Sequence, residues 1–215
     1  MLTRLASIAV LVASALLPIG CGASTMGARI SEAQVDLSKV QTSAEKPTRE
    51  DMKDVKGVAL MSVGQGGVGI GGEGGGGVIL KRVGGGWGAP FAFDAAAGSI
   101  GLQLGGQVKH IMVVFYEDGA LKQFAMGGMQ LLAVGEGTGG SASGNTRSTN
   151  VQYKPFIAGS GLYGGLQLGG LNFTPAKEVN SATYGPSASM EDILNGKVAA
   201  PAGTGGLTAS LDAMR

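Results

Sequence analysis

The side chains that carry most enzymatic chemistry are scarce in this chain. His110 is the one histidine and Cys21 the one cysteine of 215 residues, so no metal centre built on several His and Cys ligands can be assembled. Serines are numerous, but no Gly-x-Ser-x-Gly nucleophile turn with an acidic partner and a histidine can be built around them. Glu117-Asp118 and Glu191-Asp192 are adjacent carboxylate pairs, expected in a turn and at a helix start. Solvation explains both better than a glycosidase pair does. His110 reads as a strand-end residue satisfied by hydrogen bonds. These residues imply no catalytic site, no cofactor and no bound metal.

One motif does have a mechanism attached. Gly69-Ile70-Gly71-Gly72-Glu73-Gly74 satisfies G-x-G-x-x-G, and Asp94 lies twenty residues further on. A dinucleotide site needs a helix to open at that loop, because the helix amides hold the pyrophosphate. Here Gly75-Gly76-Gly77-Val78-Ile79-Leu80 follows, a run hostile to helix. Gly64-Gln65-Gly66-Gly67-Val68-Gly69 satisfies the same pattern, so the match is cheap.

The ends are more informative. Arg4 precedes an apolar stretch from Leu5 to Ile19, which is the layout of an export signal over residues 1–20. That stretch falls short of the roughly 20 residues a membrane span needs. Cys21 follows at once, in Leu17-Pro18-Ile19-Gly20-Cys21. The arrangement resembles a bacterial lipobox with Pro18 in place of an aliphatic residue, and it points to lipidation of Cys21. Gly22 rather than Asp in the next position fits outer-membrane sorting on the periplasmic side of a bacterial envelope. One of the 16 basic residues is Arg4, so 15 remain against 15 acidic ones once the leader is removed. A neutral chain is poorly suited to nucleic acid, which requires a dense basic field. A lone cysteine also excludes an internal disulfide, so the fold must rest on its core.

Glycine supplies 41 of the 215 residues without a three-residue period, which excludes collagen. Apolar residues are interleaved throughout, which argues against disorder and for sharply curved antiparallel sheet. Ile30, Ala33, Leu37, Val40 and Ala44 form one helical stripe over 29–45, after a tether that starts at Cys21. Thr48, with Asp51 three residues on, predicts a second short helix ending at Gly57. Strands are expected at 58–63, 68–72, 76–83, 91–93, 99–104, 108–116, 130–134, 151–158 and 161–173, with Gly84-Gly85-Gly86 as a turn. Short helices are expected at 120–125, 175–182 and 189–194. Residues 139–149 read as a polar loop, and the tail from Pro201 as loose with a possible short helix at its end. Gly101-Leu102-Gln103-Leu104-Gly105-Gly106 recurs identically at 165–170, suggesting two equivalent hairpin positions.

Landmarks in a fixed order then carry a family resemblance. They are Lys56-Gly57-Val58-Ala59-Leu60, the run 71–78, Trp87-Gly88-Ala89-Pro90, Gly101-Leu102-Gln103-Leu104-Gly105 and the strand 111–115. Gly161-Leu162-Tyr163-Gly164-Gly165, Tyr184-Gly185 and Ile193-Leu194 complete the series. The sequence resembles the SYLF domain family over about 48–201, leaving 202–215 as tail. The resemblance implies a mainly β, compact antiparallel glycine-rich β-barrel-like fold with short flanking α-helices, and non-enzymatic binding of phospholipid head groups. Eukaryotic members bind phosphoinositides and some bind actin filaments; a bacterial envelope protein has no actin to meet.

Physical reading adds candidate contacts. Lys81 and Arg82 end an apolar run before the glycine turn, and Trp87 lies across it, as suits a head-group boundary. Lys109 and Lys154 could add charge if the strands bring them near. Two alternatives stand beside the lipid-surface reading. One is a barrel enclosing an apolar ligand, and the other an assembly protein that pairs with a partner or with itself through sheet edges.

Overall fold

The computed structural model of the chain describes residues 25–68, 70–100, 107–134, 152–159 and 167–215. The leader, Cys21, the polar stretch 139–149 and most of the repeated Gly-Leu-Gln-Leu-Gly-Gly segments lie outside the described residues.

Helix α1 (Met26–Gln41) begins at Thr25, whose hydroxyl accepts from the Ala28 amide at 3.3 Å. Its buried face carries Met26, Ile30, Ala33, Leu37 and Val40, which is the stripe read from the sequence set one turn earlier. Burying a side chain such as Ile30, Leu37 or Val40 contributes about 1.5–3 kcal/mol each. Arg29 and Asp36 are buried on the same face, seven residues apart.

The expected helix after Thr48 is absent from this region. Asp51 accepts from the Thr48 amide and hydroxyl at 2.8 and 2.7 Å, so the capping box forms, but only turns follow. The chain then enters the sheet at Gly57, before a helix can propagate.

The sheet is antiparallel throughout. Its main strands are β1 (Gly57–Val68), β2 (Ile70–Val83), β4 (Phe91–Ile100), β5 (Gln107–Phe115), β6 (Gln130–Val134), β7 (Tyr153–Gly159) and β8 (Gln167–Pro175). They lie in the order β6-β8-β4-β2-β1-β5-β7, and the two-residue β3 (Gly86–Trp87) pairs with the end of β2. Among the described residues β6 and β7 end this order and do not pair with each other. Among the described residues the sheet is not closed into a barrel, so they do not bear out the barrel-like form expected from the sequence.

Of the expected strand 68–72, Val68 ends β1, while residues 70–72 join the expected strand 76–83 in one continuous β2. The glycines between them do not break it, because β1 and β4 pair with it in register on both sides, as in Gly76 with Ser62 and with Asp94. A Cβ on Gly77 would lie 1.9 Å from the Leu60 carbonyl oxygen, so this closeness of β2 to β1 requires glycine.

Because strand side chains alternate, the sheet has two apolar faces. Val58, Leu60, Val78, Leu80, Met112 and Val114 pack under α1. α3 (Lys177–Tyr184) and α5 (Thr204–Asp212) cover the same face, with Val179, Leu207 and Leu211 buried. Met61, Ile79, Phe93, Ile111 and Phe115 face the other way, under α2 (Asp118–Ala125) and α4 (Met190–Leu194). Phe124 of α2 centres that second core, with ring centroids 5.0 Å from Phe93, 5.3 Å from Phe115 and 4.3 Å from Phe173. Asn180 of α3 bonds both the amide and the carbonyl of Ala92 at 2.9 and 2.8 Å, tying the helix to β4 as a strand residue would. The end of the chain is not loose: Leu207 and Leu211, one helical turn apart, are fully buried.

Candidate functional site

Lys81 and Arg82 are neighbours on β2 and so point to opposite faces. The Lys81 ammonium donates to Asn195 Oδ1 at 3.0 Å and lies 3.5 Å from Asp118, between α4 and α2. Arg82 lies on the α1 face. Its Nη1 donates to Asp212 Oδ1 at 2.6 Å, and its guanidinium sits 4.6 Å from the centre of the Trp87 ring. Trp87 Nε1 donates to the same Asp212 oxygen at 3.1 Å. Two donors from paired strands thus converge on one anionic oxygen supplied by α5.

Lys56 completes this end of the sheet. The Arg82 amide donates to the Lys56 carbonyl at 2.8 Å, continuing the β1 ladder, and Arg82 pairs with Trp87 on its other side. Lys56, Arg82 and Trp87 therefore form a cross-strand row with spacings of roughly 5 Å. Among the described residues the exposed Lys56 ammonium has no side-chain partner. Exposed Val83 and the Gly84–Gly86 turn project beside it.

The other two cations do not join this row as expected. Lys109 pairs with Val63, six residues along β1 from the Gly57 partner of Lys81, or roughly 20 Å away. It is buried in an ion pair with Glu73 at 3.2 Å, both side chains 5% exposed, which removes it from any head group. Lys154 is at the same sheet end as Arg82 but on the far strand β7. There its ammonium donates to Asp51 at 2.7 Å and lies 5.0 Å from the Phe156 ring centre. Burial pushes Asp51 upward, but hydrogen bonds from Lys154 and Thr48 outweigh it and hold the carboxyl below its ordinary range. Cys21 lies outside the described residues.

Polar groups also line the floor beneath α1. Asp94, Gly76, Ser62, His110 and Ala158 form one row across five strands. Arg29 reaches the Phe93 carbonyl at 2.6 Å and Asp94 at 2.5 Å, through space that only a glycine at 76 leaves open. His110 Nδ1 lies 2.7 Å from Asp36 Oδ1, so the histidine is satisfied as expected, within β5 rather than at its end. These contacts clamp α1 to the sheet. Burial raises the Asp36 carboxyl to about 6, opposed by its hydrogen bond to His110, and Oδ2 has no partner among the described residues. With the folded value above the unfolded one, Asp36 favours folding most below pH 4, and that contribution is lost as pH rises toward 6. Asp36→Asn is therefore expected to raise the melting temperature at pH 7 while the gap over wild type closes by pH 4. Thermal melts across that range check it, and an equal effect at both ends would contradict it.

The described part of the glycine motif opens no helix. Residues 70–74 lie inside β2, hairpin-paired to β1, and Asp94 is engaged by Arg29. Glu117 and Asp118 begin α2, while Glu191 and Asp192 begin α4, where they pair with Lys122 and Lys197.

A family model described as Ysc84, Las17-binding protein actin regulator, matches residues 96–214, more than half of the chain. The chain belongs to the Ysc84 (SYLF) family. SH3 domain-containing YSC84-like protein 1 of Bos taurus is 33% identical over 156 residues, covering 68% of this chain and 45% of the relative. The Homo sapiens protein of that name is 31% identical over 156 residues, with the same coverage. Protein YSC84 of Saccharomyces cerevisiae is 26% identical over 160 residues, covering 70% of this chain and 34% of its own length. The chain thus spans less than half the length of these relatives. No solved structure matches it. The Ysc84 match runs through α5, so Asp212 falls within the family region.

Sequence reasoning missed Lys56 and Asp212. Lys56 stood at the head of a family landmark, and Asp212 follows Leu207 and Leu211 at helical spacing; only the register and the docking of α5 place both at Arg82.

Proposed function

We propose that this Ysc84 (SYLF) chain is a non-enzymatic phospholipid-binding module. Acyl chains on Cys21 hold it at a bacterial envelope membrane, and it meets anionic head groups with the sheet end that carries Lys56, Arg82 and Trp87. The supporting observation is the convergence of Arg82 Nη1 and Trp87 Nε1 on a single carboxylate oxygen. Donors so placed suit a phosphate oxygen equally well. The indole, the exposed Val83 and the glycine turn give the same end an interfacial character.

The test uses the protein from Gly22 onward, which lacks the acyl anchor and keeps every contact described above. Each cation at an anionic surface is worth about 1 kcal/mol, so Lys56→Ala with Arg82→Ala is expected to lower binding to phosphatidylglycerol-containing vesicles by roughly tenfold or more. Unchanged sedimentation of the double variant would place the contact elsewhere.

The family description, Las17-binding protein actin regulator, supports a second reading in which the bound partner is a protein. Binding of lipid-free protein to actin filaments, with no affinity for vesicles, would favour it.

A further inference from the structure

We infer that α5 is an internal competitor for the anion site: Asp212 occupies the place of a lipid phosphate, and the helix must lift before a head group can bind. The inference rests on the head-group reading above and adds its regulation. Asp212 Oδ1 takes both donors of the site, Arg82 Nη1 at 2.6 Å and Trp87 Nε1 at 3.1 Å. An incoming phosphate oxygen cannot share that position with a carboxylate, because like charges at hydrogen-bond distance repel. The Arg82 side chain is 12% exposed while α5 is docked, whereas that of Asp212 is 47% exposed. The competitor is thus the more open of the two.

The helix is built to be released. It starts at Gly203, in a left-handed conformation with φ 88°, and carries Gly205 and Gly206 in its first turn, which weakens it as a helix. No side chain caps its N-terminus. Its buried side chains are Thr204, Leu207 and Leu211, packed against α1 and the apolar core of that face, with the Asp212 ion pair at its last residue. In water, lifting α5 exposes both leucines, so free phosphate does not open the site. At a bilayer the leucines exchange the protein interior for the interfacial hydrocarbon, and the phosphate replaces Asp212 on Arg82 and Trp87. The ligand is therefore a phosphate presented by a lipid surface rather than in solution.

Trp87 is the only tryptophan of the chain, so its fluorescence reports directly on this site. With the protein from Gly22 onward, phosphatidylglycerol-containing vesicles are expected to shift Trp87 emission to the blue, while inorganic phosphate and phosphatidylcholine vesicles leave it unchanged. Asp212→Asn removes the competing charge and keeps an acceptor, and is expected to bind the anionic vesicles roughly 5–10-fold more tightly than wild type. Leu211→Ala leaves Asp212 in place but loosens the apolar anchor, and is expected to shift affinity in the same direction. Wild-type binding that depends on Arg82 yet is unaltered by either substitution would overturn the inference alone. An emission shift with inorganic phosphate equal to that with vesicles would also overturn it, since the site would then open without a lipid surface. Absence of vesicle binding by all three proteins would remove the head-group reading and this inference with it.

Discussion

Gly77→Ala is expected to destabilise the domain by about 3 kcal/mol or more, a large part of the 5–15 kcal/mol that holds a typical domain folded. A methyl group at this position would sit 1.9 Å from the Leu60 carbonyl oxygen, 2.8 Å from its carbon and 2.8 Å from the Met61 Cα. All three are backbone atoms of β1, so no side chain can turn aside. β2 must move away from β1, although β4 pairs with Gly77 on its other edge through Phe93. Denaturant unfolding measures the loss. Gly85→Ala is the matched control, because its methyl meets no atom within 4 Å and its backbone is not left-handed. A surface change of that kind alters stability by at most about 0.5 kcal/mol. Equal behaviour of the two variants would contradict the close approach of β2 to β1.

Phe124→Ala is expected to cost about 3–5 kcal/mol, through lost burial and the cavity left behind. Phe124 is fully buried and meets Phe93 edge-on, while the Phe115 and Phe173 rings are tilted against it. Those three rings come from β4, β5 and β8, so one side chain of α2 joins strands on both sides of the central pair. Phe124→Leu retains most of the volume and should recover much of the loss. In a domain of this size each kcal/mol moves the melting temperature by roughly 2–4 °C, so scanning calorimetry resolves the two substitutions. A loss below about 1 kcal/mol for the alanine variant would mean that α2 does not seal this core.

The parts of the fold legible in the sequence are those where apolar side chains set a period. The stripe from Ile30 to Val40 announced α1 because that helix buries a single face. The run from Ile111 to Phe115 announced β5 through its β-branched and aromatic residues. β2 was only half legible, since Gly71 to Gly77 show no alternation, and its continuity comes from β1 and β4 on either side. The Thr48–Asp51 capping box was real, yet a cap signals only a start, and Gly57 commits the chain to the sheet too soon for a helix. α5 was obscured by Gly205 and Gly206, which lower local helix propensity while Leu207 and Leu211 bury it against α1 and the core of that face.

For the site, the neighbourhood of Arg82 and Trp87 across the glycine turn was legible because the turn is short. Lys81 was grouped with Arg82 by adjacency, but adjacent strand residues face opposite ways, and Lys81 serves the α2 and α4 side. Lys109 could not be separated from the surface lysines by composition. Its burial depends on Glu73, 36 positions away, being brought beside it across the central strands.

The proposed lipid reading requires that this Ysc84 (SYLF) chain recognise anionic lipid surfaces through residues 22–215 alone. Co-sedimentation of the protein from Gly22 onward, with phosphatidylcholine vesicles and with phosphatidylglycerol-containing vesicles at low and high salt, tests it most directly. Binding is expected to the anionic vesicles alone, weakening as salt shortens the screening length from about 10 Å at 0.1 M toward 3 Å at 1 M. No binding to either vesicle, or equal binding to both at every salt concentration, would contradict it.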